Sequence, residues 1–181
     1  IANALFGVGP KDPKVIGQNV YNNYGIGEDG YSISSCQFSL HYFFKDLRLL
    51  NGFIRNLAEC TKLNGYFIGT CYDGKKIFEM LKDKEKDESI ILMNGSEKQF
   101  EITKMYSQTG FPDDENSLGY SINVFQDSIG AVHNEFLVNF DYFVRIMEDY
   151  GFVPLTSEEA VNIGLPDGIG NFEELFKHCL L

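Results

Sequence analysis

The sequence predicts an α/β fold: part of an open parallel sheet with an added antiparallel hairpin. Two observations predict it. Residues 34–74 read as a strand, a polar-aromatic turn, an amphipathic helix, an Asn-Gly turn and a second strand. A right-handed crossover makes those strands parallel and brings both C-terminal ends to one rim, where open α/β sheets bind ligands. The second observation is Asn94-Gly95 between the β-like runs 89–93 and 98–105, a strong hairpin signal that a plain doubly wound sheet has no place for.

Residues 1–30 are rich in Gly, Pro and Asn. Residues 1–6 read as the end of a helix, and 15–24 as a short helix or turn. The letters of 25–30, GIGEDG, match G-x-G-x-x-G. A dinucleotide fingerprint needs a strand before it and a helix after it. Here the glycines precede a strand, Glu28 and Asp29 would repel phosphate, and a surface loop is expected. Ile33, Cys36 and Phe38 suggest a short buried strand. Asp46 opens the helix that carries Leu47, Leu50, Phe53, Ile54, Leu57 and Ala58, and Asn64-Gly65 reads as its left-handed stop. The next strand is 66–72. Asp73 can cap a helix with Ile77, Phe78 and Leu81. Residues 82–88 and 107–117 read as loops and 118–125 as a strand. A second helix holds Phe140, Phe143, Val144, Met147 and Tyr150 and ends at Gly151. Residues 152–155 are expected to be a strand, Thr156 and Glu159 form a capping-box pattern, and Asn171 precedes a last amphipathic helix with Phe172, Leu175, Phe176 and Cys179.

The 181 residues, 44% apolar and 23% charged, suffice for one compact domain, and no linker divides them. The chain starts at Ile1 and stops in Cys179-Leu180-Leu181, so 1–181 reads as a single partial domain. No apolar run is long enough to cross a bilayer, and no signal peptide is visible. Cys36, Cys60, Cys71 and Cys179 lack CxxC spacing and read as reduced buried thiols, which implies an intracellular compartment. A net charge of −11 argues against broad phosphate-backbone binding but leaves room for one nucleotide in a pocket.

No nucleophile–base–acid set is visible. His41, His133 and His178 are far apart in sequence, no Ser or Cys sits in a nucleophile elbow, and HxxxH, HExxH and CxxC are absent, so no metal site is expected. What remains is the turn Gln37-Phe38-Ser39-Leu40-His41-Tyr42-Phe43-Phe44. Its aromatics, amide and imidazole suit a flat, polar-edged ligand. Core aromatics with a few satisfied polar groups are the competing reading.

That stretch, SSCQFSLHYFF, with NGYFIGT after the helix, closely resembles the mRNA cap (guanine-N7) methyltransferase family. GYSINVF and EFLVNF resemble later segments of the family in the same order, and the likeness, over roughly residues 31–155, is strongest to the versions in giant DNA viruses. The resemblance implies a partial class I, Rossmann-like methyltransferase sheet. It implies that Gln37 and Tyr42 line the S-adenosylmethionine site, that His41 faces the cap guanine and that Glu135 contacts the guanine edge. Phe44 and Tyr120 are expected to add aromatic surface. Glu135 as a plain helix-start acid is the competing reading, and His133-Asn134 replaces the family's usual residues, proline included, before that glutamate.

The implied reaction is methyl transfer from S-adenosylmethionine to N7 of the guanine cap of mRNA. It needs positioning and no catalytic side chain, because N7 carries a lone pair and no proton. The implied substrate is the capped RNA 5′ end, with guanylyltransferase or triphosphatase modules in the same parent. The implied place is the host cytoplasm or virion if viral, the nucleus if cellular. The family's glycine-rich cofactor loop and ribose-binding acid have no counterpart in the chain, and its closing strands would follow Leu181. The chain alone is therefore expected to bind cofactor poorly. The rival reading is a non-catalytic methyltransferase-like subunit that stimulates a capping partner.

Overall fold

The computed structural model describes residues 2–179. Ile1, Leu180 and Leu181, and the side chains of Leu175, His178 and Cys179, lie outside the described residues. The rest clusters into two compact units that divide between Tyr142 and Phe143.

The first unit opens with three short helices, α1 (Ala2–Leu5), α2 (Pro13–Ile16) and α3 (Gln18–Asn22). The backbone N–H groups of Gly25 and Gly27 donate to Ala4 and Leu5 carbonyls, so GIGEDG is a series of turns leading into a strand, as expected. That strand, β1 (Tyr31–Gln37), pairs in parallel with β2 (Thr61–Thr70), with Ser34 opposite Phe67 and Cys36 opposite Gly69. The crossover between them is a 3-10 turn (Leu40–Lys45) followed by α4 (Leu47–Cys60). Asp46 caps α4 by accepting from Leu49 N at 2.9 Å, and Leu50, Ile54 and Leu57 form its buried stripe.

Two expectations fail here. Asn64-Gly65 does not stop the helix: α4 ends at Cys60, and both residues lie inside β2. The register jumps from Tyr31–Thr61 to Ile33–Tyr66, so the extra residues form a bulge, with Asn64 at φ 61°. A Cβ at position 65 would come within 2.9 Å of the Lys62 carbonyl oxygen, so glycine is required by close approach. Nor is β1 a buried strand, since Ile33 and Phe38 are both more than half exposed. Burial of a strand depends on what covers its faces, and apolar letters alone do not supply a cover.

The hairpin is present as β3 (Ser89–Asn94) and β4 (Glu97–Lys104), joined through Gly95 at φ 63°. It is half of a larger element: a four-stranded antiparallel sheet in the order β3-β4-β5-β6, with β5 (Ser121–Gln126) and β6 (Ala131–Phe136). Sequence reading missed β6 because Ala-Val-His-Asn-Glu-Phe lacks the apolar alternation of a half-buried strand. One face of this sheet, through Ile102, Ile122 and Val124, clusters with Ile77 and Leu81 and with Tyr106, Tyr120 and Leu137. Ile77 belongs to α5 (Gly74–Met80), capped by Asp73 as expected. α5 starts against the backbone of Val138, where a Cβ on Gly74 would fall 2.2 Å from the carbonyl oxygen.

The boundary falls within α6 (Phe140–Glu148), and the second unit continues with α7 (Ser157–Asn162) and α8 (Phe172–Cys179). Thr156 and Glu159 make the full capping box on α7. Asn171 and Glu174 exchange the same pair of bonds at the start of α8. The strand expected at 152–155 is absent: the segment has no ladder partner, and Pro154 cannot donate to one.

The two helix glycines predict opposite effects. Gly74→Ala is expected to destabilise by about 1–3 kcal/mol or more, because backbone must move to admit the methyl group. Gly52→Ala, with nothing within 4 Å of the added carbon, is expected to stabilise by about 0.5–1 kcal/mol. Urea unfolding of both variants checks the pair.

Candidate functional site

At the rim where β1 and β2 end, the chain leaves the sheet abruptly. Phe38 adopts φ 50°, and its N–H donates to the Thr70 carbonyl and, at 3.0 Å, to Thr70 Oγ1. Gln37 is fastened to the same rim: its Oε1 accepts from Thr70 Oγ1 at 2.9 Å and its Nε2 donates to Ser35 Oγ at 3.0 Å. The 3-10 turn that follows buries Leu40, His41 and Phe44 and leaves Tyr42 nearly half exposed. Phe44 is wholly buried, and its carbonyl accepts from Gly119 N. This anchors the turn.

The turn lays His41 against Glu135 of β6, with Nδ1 and Oε2 3.6 Å apart and the residues 5% and 9% exposed. That separation is too long for a hydrogen bond. His41 Nε2 and Glu135 Oε2 have no hydrogen-bond partner. Burial lowers the His41 pKa and raises that of Glu135, so both groups are pushed toward their neutral forms. Tyr42 packs edge-on against the imidazole, with ring centroids 4.3 Å apart.

Two residues that sequence reasoning did not assign to the site belong to its surroundings. Tyr72, just past β2, accepts a hydrogen bond from Gln126 Nε2. Burial raises its hydroxyl pKa, and the nearby charge of Glu135 raises it further, against the Gln126 bond that lowers it. His133 stands two residues before Glu135 on β6, and its buried Nε2 also lacks a partner. Among the described residues, the remaining buried side-chain atom without a partner is Tyr106 Oη. Only recognition of β6 as a strand would have signalled His133, because residues two apart on a strand share a face.

The structure thus brings together His41, Tyr42 and Glu135 beside the rim that holds Gln37. Phe44 and Tyr120 lie elsewhere. Phe44 is beneath the turn with no exposed surface, and Tyr120 is 4% exposed in a ring cluster with Phe78, Tyr106 and Phe111, its hydroxyl donating to the Gly110 carbonyl. Glu135 is no helix-start acid. It sits on a strand, opposite Ile122, and Asn139 caps α6 by accepting from Tyr142 N. Cys36, Cys60 and Cys71 are free, half-buried thiols, and burial pushes Cys71 up to about 11. Among the described residues no group of three His, Cys, Asp or Glu could hold a metal ion, and no helix is long and apolar enough to cross a membrane.

Comparison with known proteins points one way. A family model described as the mRNA (guanine-N(7))-methyltransferase domain matches residues 15–165. A "probable mRNA-capping enzyme" of Acanthamoeba polyphaga mimivirus is 32% identical over 137 residues, 73% of this chain and 11% of that protein. An "mRNA cap guanine-N(7) methyltransferase" of Drosophila melanogaster is 39% identical over 51 residues, 28% of this chain and 12% of that protein. One of the same name in Caenorhabditis elegans is 36% identical over 58 residues, 32% of this chain and 15% of that protein. The chain therefore spans well under a fifth of the length of each.

The buried carboxyl predicts a pH signature. Its folded pKa is raised, so its stabilising contribution is full below the ordinary value of 4.5 and is lost as pH rises through the raised value. Glu135→Gln cannot ionise. It is expected to be more stable than the unmutated protein at pH 7, by about 0.5–2 kcal/mol, with the gap closing below pH 4.5. Thermal melts across that range check it.

Proposed function

The chain belongs to the mRNA (guanine-N(7))-methyltransferase family, and from that premise we propose that it supplies the guanine-binding side of a site that methylates the cap of mRNA at guanine N7. The observation that carries this reading is the buried, unpartnered pair of His41 Nε2 and Glu135 Oε2. A buried polar atom without a partner costs about 1–3 kcal/mol, and a ligand with matching groups recovers that cost. Guanine matches. Its N1–H and exocyclic amine are two donors on one edge for an acceptor-only carboxylate, and adenine does not offer that pair.

In this reading Glu135 holds the base by its Watson–Crick edge and His41 lies against the same edge. Tyr42, with an exposed ring beside His41, and Gln37, on the strand rim, border the methyl donor. The tied Gln37 amide and the exposed Tyr42 face suit one wall of a pocket for S-adenosylmethionine, which supplies an electrophilic sulfonium methyl group. Phe44 and Tyr120 are buried packing residues and do not line the site. No side chain has to move a proton, since N7 presents a free lone pair. The residues act by orientation, by excluding water and by placing negative charge near a purine that becomes cationic. The substrate is then the capped 5′ end of RNA. The similarity to a viral "probable mRNA-capping enzyme" supports a role in capping, with guanylyltransferase or triphosphatase modules as the proposed companions.

The test is methyl transfer from labelled S-adenosylmethionine to GpppG-capped RNA by the full-length protein. His41→Ala and Glu135→Gln are each expected to lower kcat/KM by about ten- to a hundredfold, one to two hydrogen bonds' worth. Because Glu135 must be ionised to accept from guanine, kcat/KM is expected to fall on the acid side through a pKa above 4.5, with no basic group needed for chemistry. Absence of N7 methylation by the unmutated protein overturns the enzyme reading in favour of a non-catalytic subunit. Full activity in both variants removes the pair from the site.

A further inference from the structure

We propose that His133 is a further substrate-binding residue, its Nε2 hydrogen-bonding a ribose hydroxyl of the cap guanosine; this rests on the guanine reading above. Along β6 the polar side chains His133, Asn134 and Glu135 alternate between the two faces of the sheet. Asn134 is satisfied within the protein, its Nδ2 donating to Ser121 Oγ at 2.7 Å and to Asn123 Oδ1 at 3.0 Å. His133 and Glu135, paired with the buried Val124 and Ile122, share the opposite face, and each carries a buried atom with nothing to bond. One strand therefore presents two unpartnered groups in one direction and closes off the polar group that points the other way. A purely structural histidine would have been expected to find a partner of its own.

The spacing selects the ligand group. His41 lies 3.6 Å from the Glu135 carboxylate, close enough to share the base edge that the carboxylate holds. His133 is two residues along the strand, roughly 6.6 Å, which passes the adjacent edge groups and reaches toward the sugar. A hydroxyl also suits the nitrogen whichever tautomer the ring adopts, because it both donates and accepts. Purine N3, on the same side of the base, only accepts.

Binding of cap dinucleotides to the full-length protein tests this by calorimetry, with GpppG and with analogues in which the capping guanosine is 2′-deoxy or 3′-deoxy. The unmutated protein is expected to bind one deoxy analogue about tenfold more weakly than GpppG, the worth of one hydrogen bond. His133→Val is expected to bind GpppG with the same tenfold loss and to make no distinction among the three ligands, so the two changes are not additive. Equal binding of all three by the unmutated protein, or discrimination retained in His133→Val, overturns the assignment and leaves the guanine reading standing. Failure of the unmutated protein to bind GpppG overturns both. The analogue arm needs no variant, so equal binding of the three ligands overturns the assignment even if His133→Val does not fold.

Discussion

A carboxylate and an imidazole held 3.6 Å apart and out of water, with one atom of each left unbonded, is the constraint on which the rest of the first unit depends. Neither group is comfortable there, and burial pulls both toward neutrality. Such an arrangement persists only where the surroundings over-determine it. The surroundings do so from two sides. His41 arrives on a turn pinned by the fully buried Phe44 and by the Phe38 and Gln37 bonds to Thr70. Glu135 arrives on a strand whose unbroken register with β5 sets which way it faces.

The two sides come from different kinds of sheet. The parallel crossover of β1, α4 and β2 ends in a rim and a turn, as open α/β sheets do. The antiparallel sheet contributes a strand that lies beside that turn. The candidate site lies where they meet, and glycine permits the close packing nearby: α5 can start against Val138 only because Gly74 has no side chain.

The parallel unit was legible because its helix carries an unbroken three- and four-residue apolar spacing, from Leu47 to Leu57, between two strand-like runs. Helix starts were legible at Asp46, Asp73, Thr156 and Asn171, where a side chain makes a local bond, but not at Asp12 or Asn139, which make the same kind of bond. What local pattern could not reveal was long-range pairing. Asn64-Gly65 has the letters of a helix stop, but those letters serve equally for a bulge, and the choice was made by β1 alongside. The strand at 131–136 was hidden because its inward positions are His133 and Glu135, polar residues where a strand reader looks for apolar ones. The feature that concealed the strand is the one on which the guanine reading rests. Tyr120 misled in the opposite direction: a tyrosine near a recognised motif reads as surface, yet its ring is core and its hydroxyl is spent on Gly110.

Charge sharpens what such a site can recognise. A chain with a net charge of −11 gains little from an RNA backbone, whose binding depends on neutralising phosphates. Under the guanine reading selectivity then comes from the base itself, and a buried carboxylate is a demanding reader: it rewards two donors and penalises a ligand that leaves it unpaired. Under the guanine reading the same carboxylate changes character during the reaction. Hydrogen bonds from the base favour its charged form, against the burial that raises its pKa, so binding a base with two donors lowers that pKa again. Methylation at N7 then makes the purine cationic, and the ionised carboxylate interacts more strongly with the product side than with the neutral substrate. That difference is what accelerates a step needing no acid or base, and it also makes the methylated cap the species that leaves least readily.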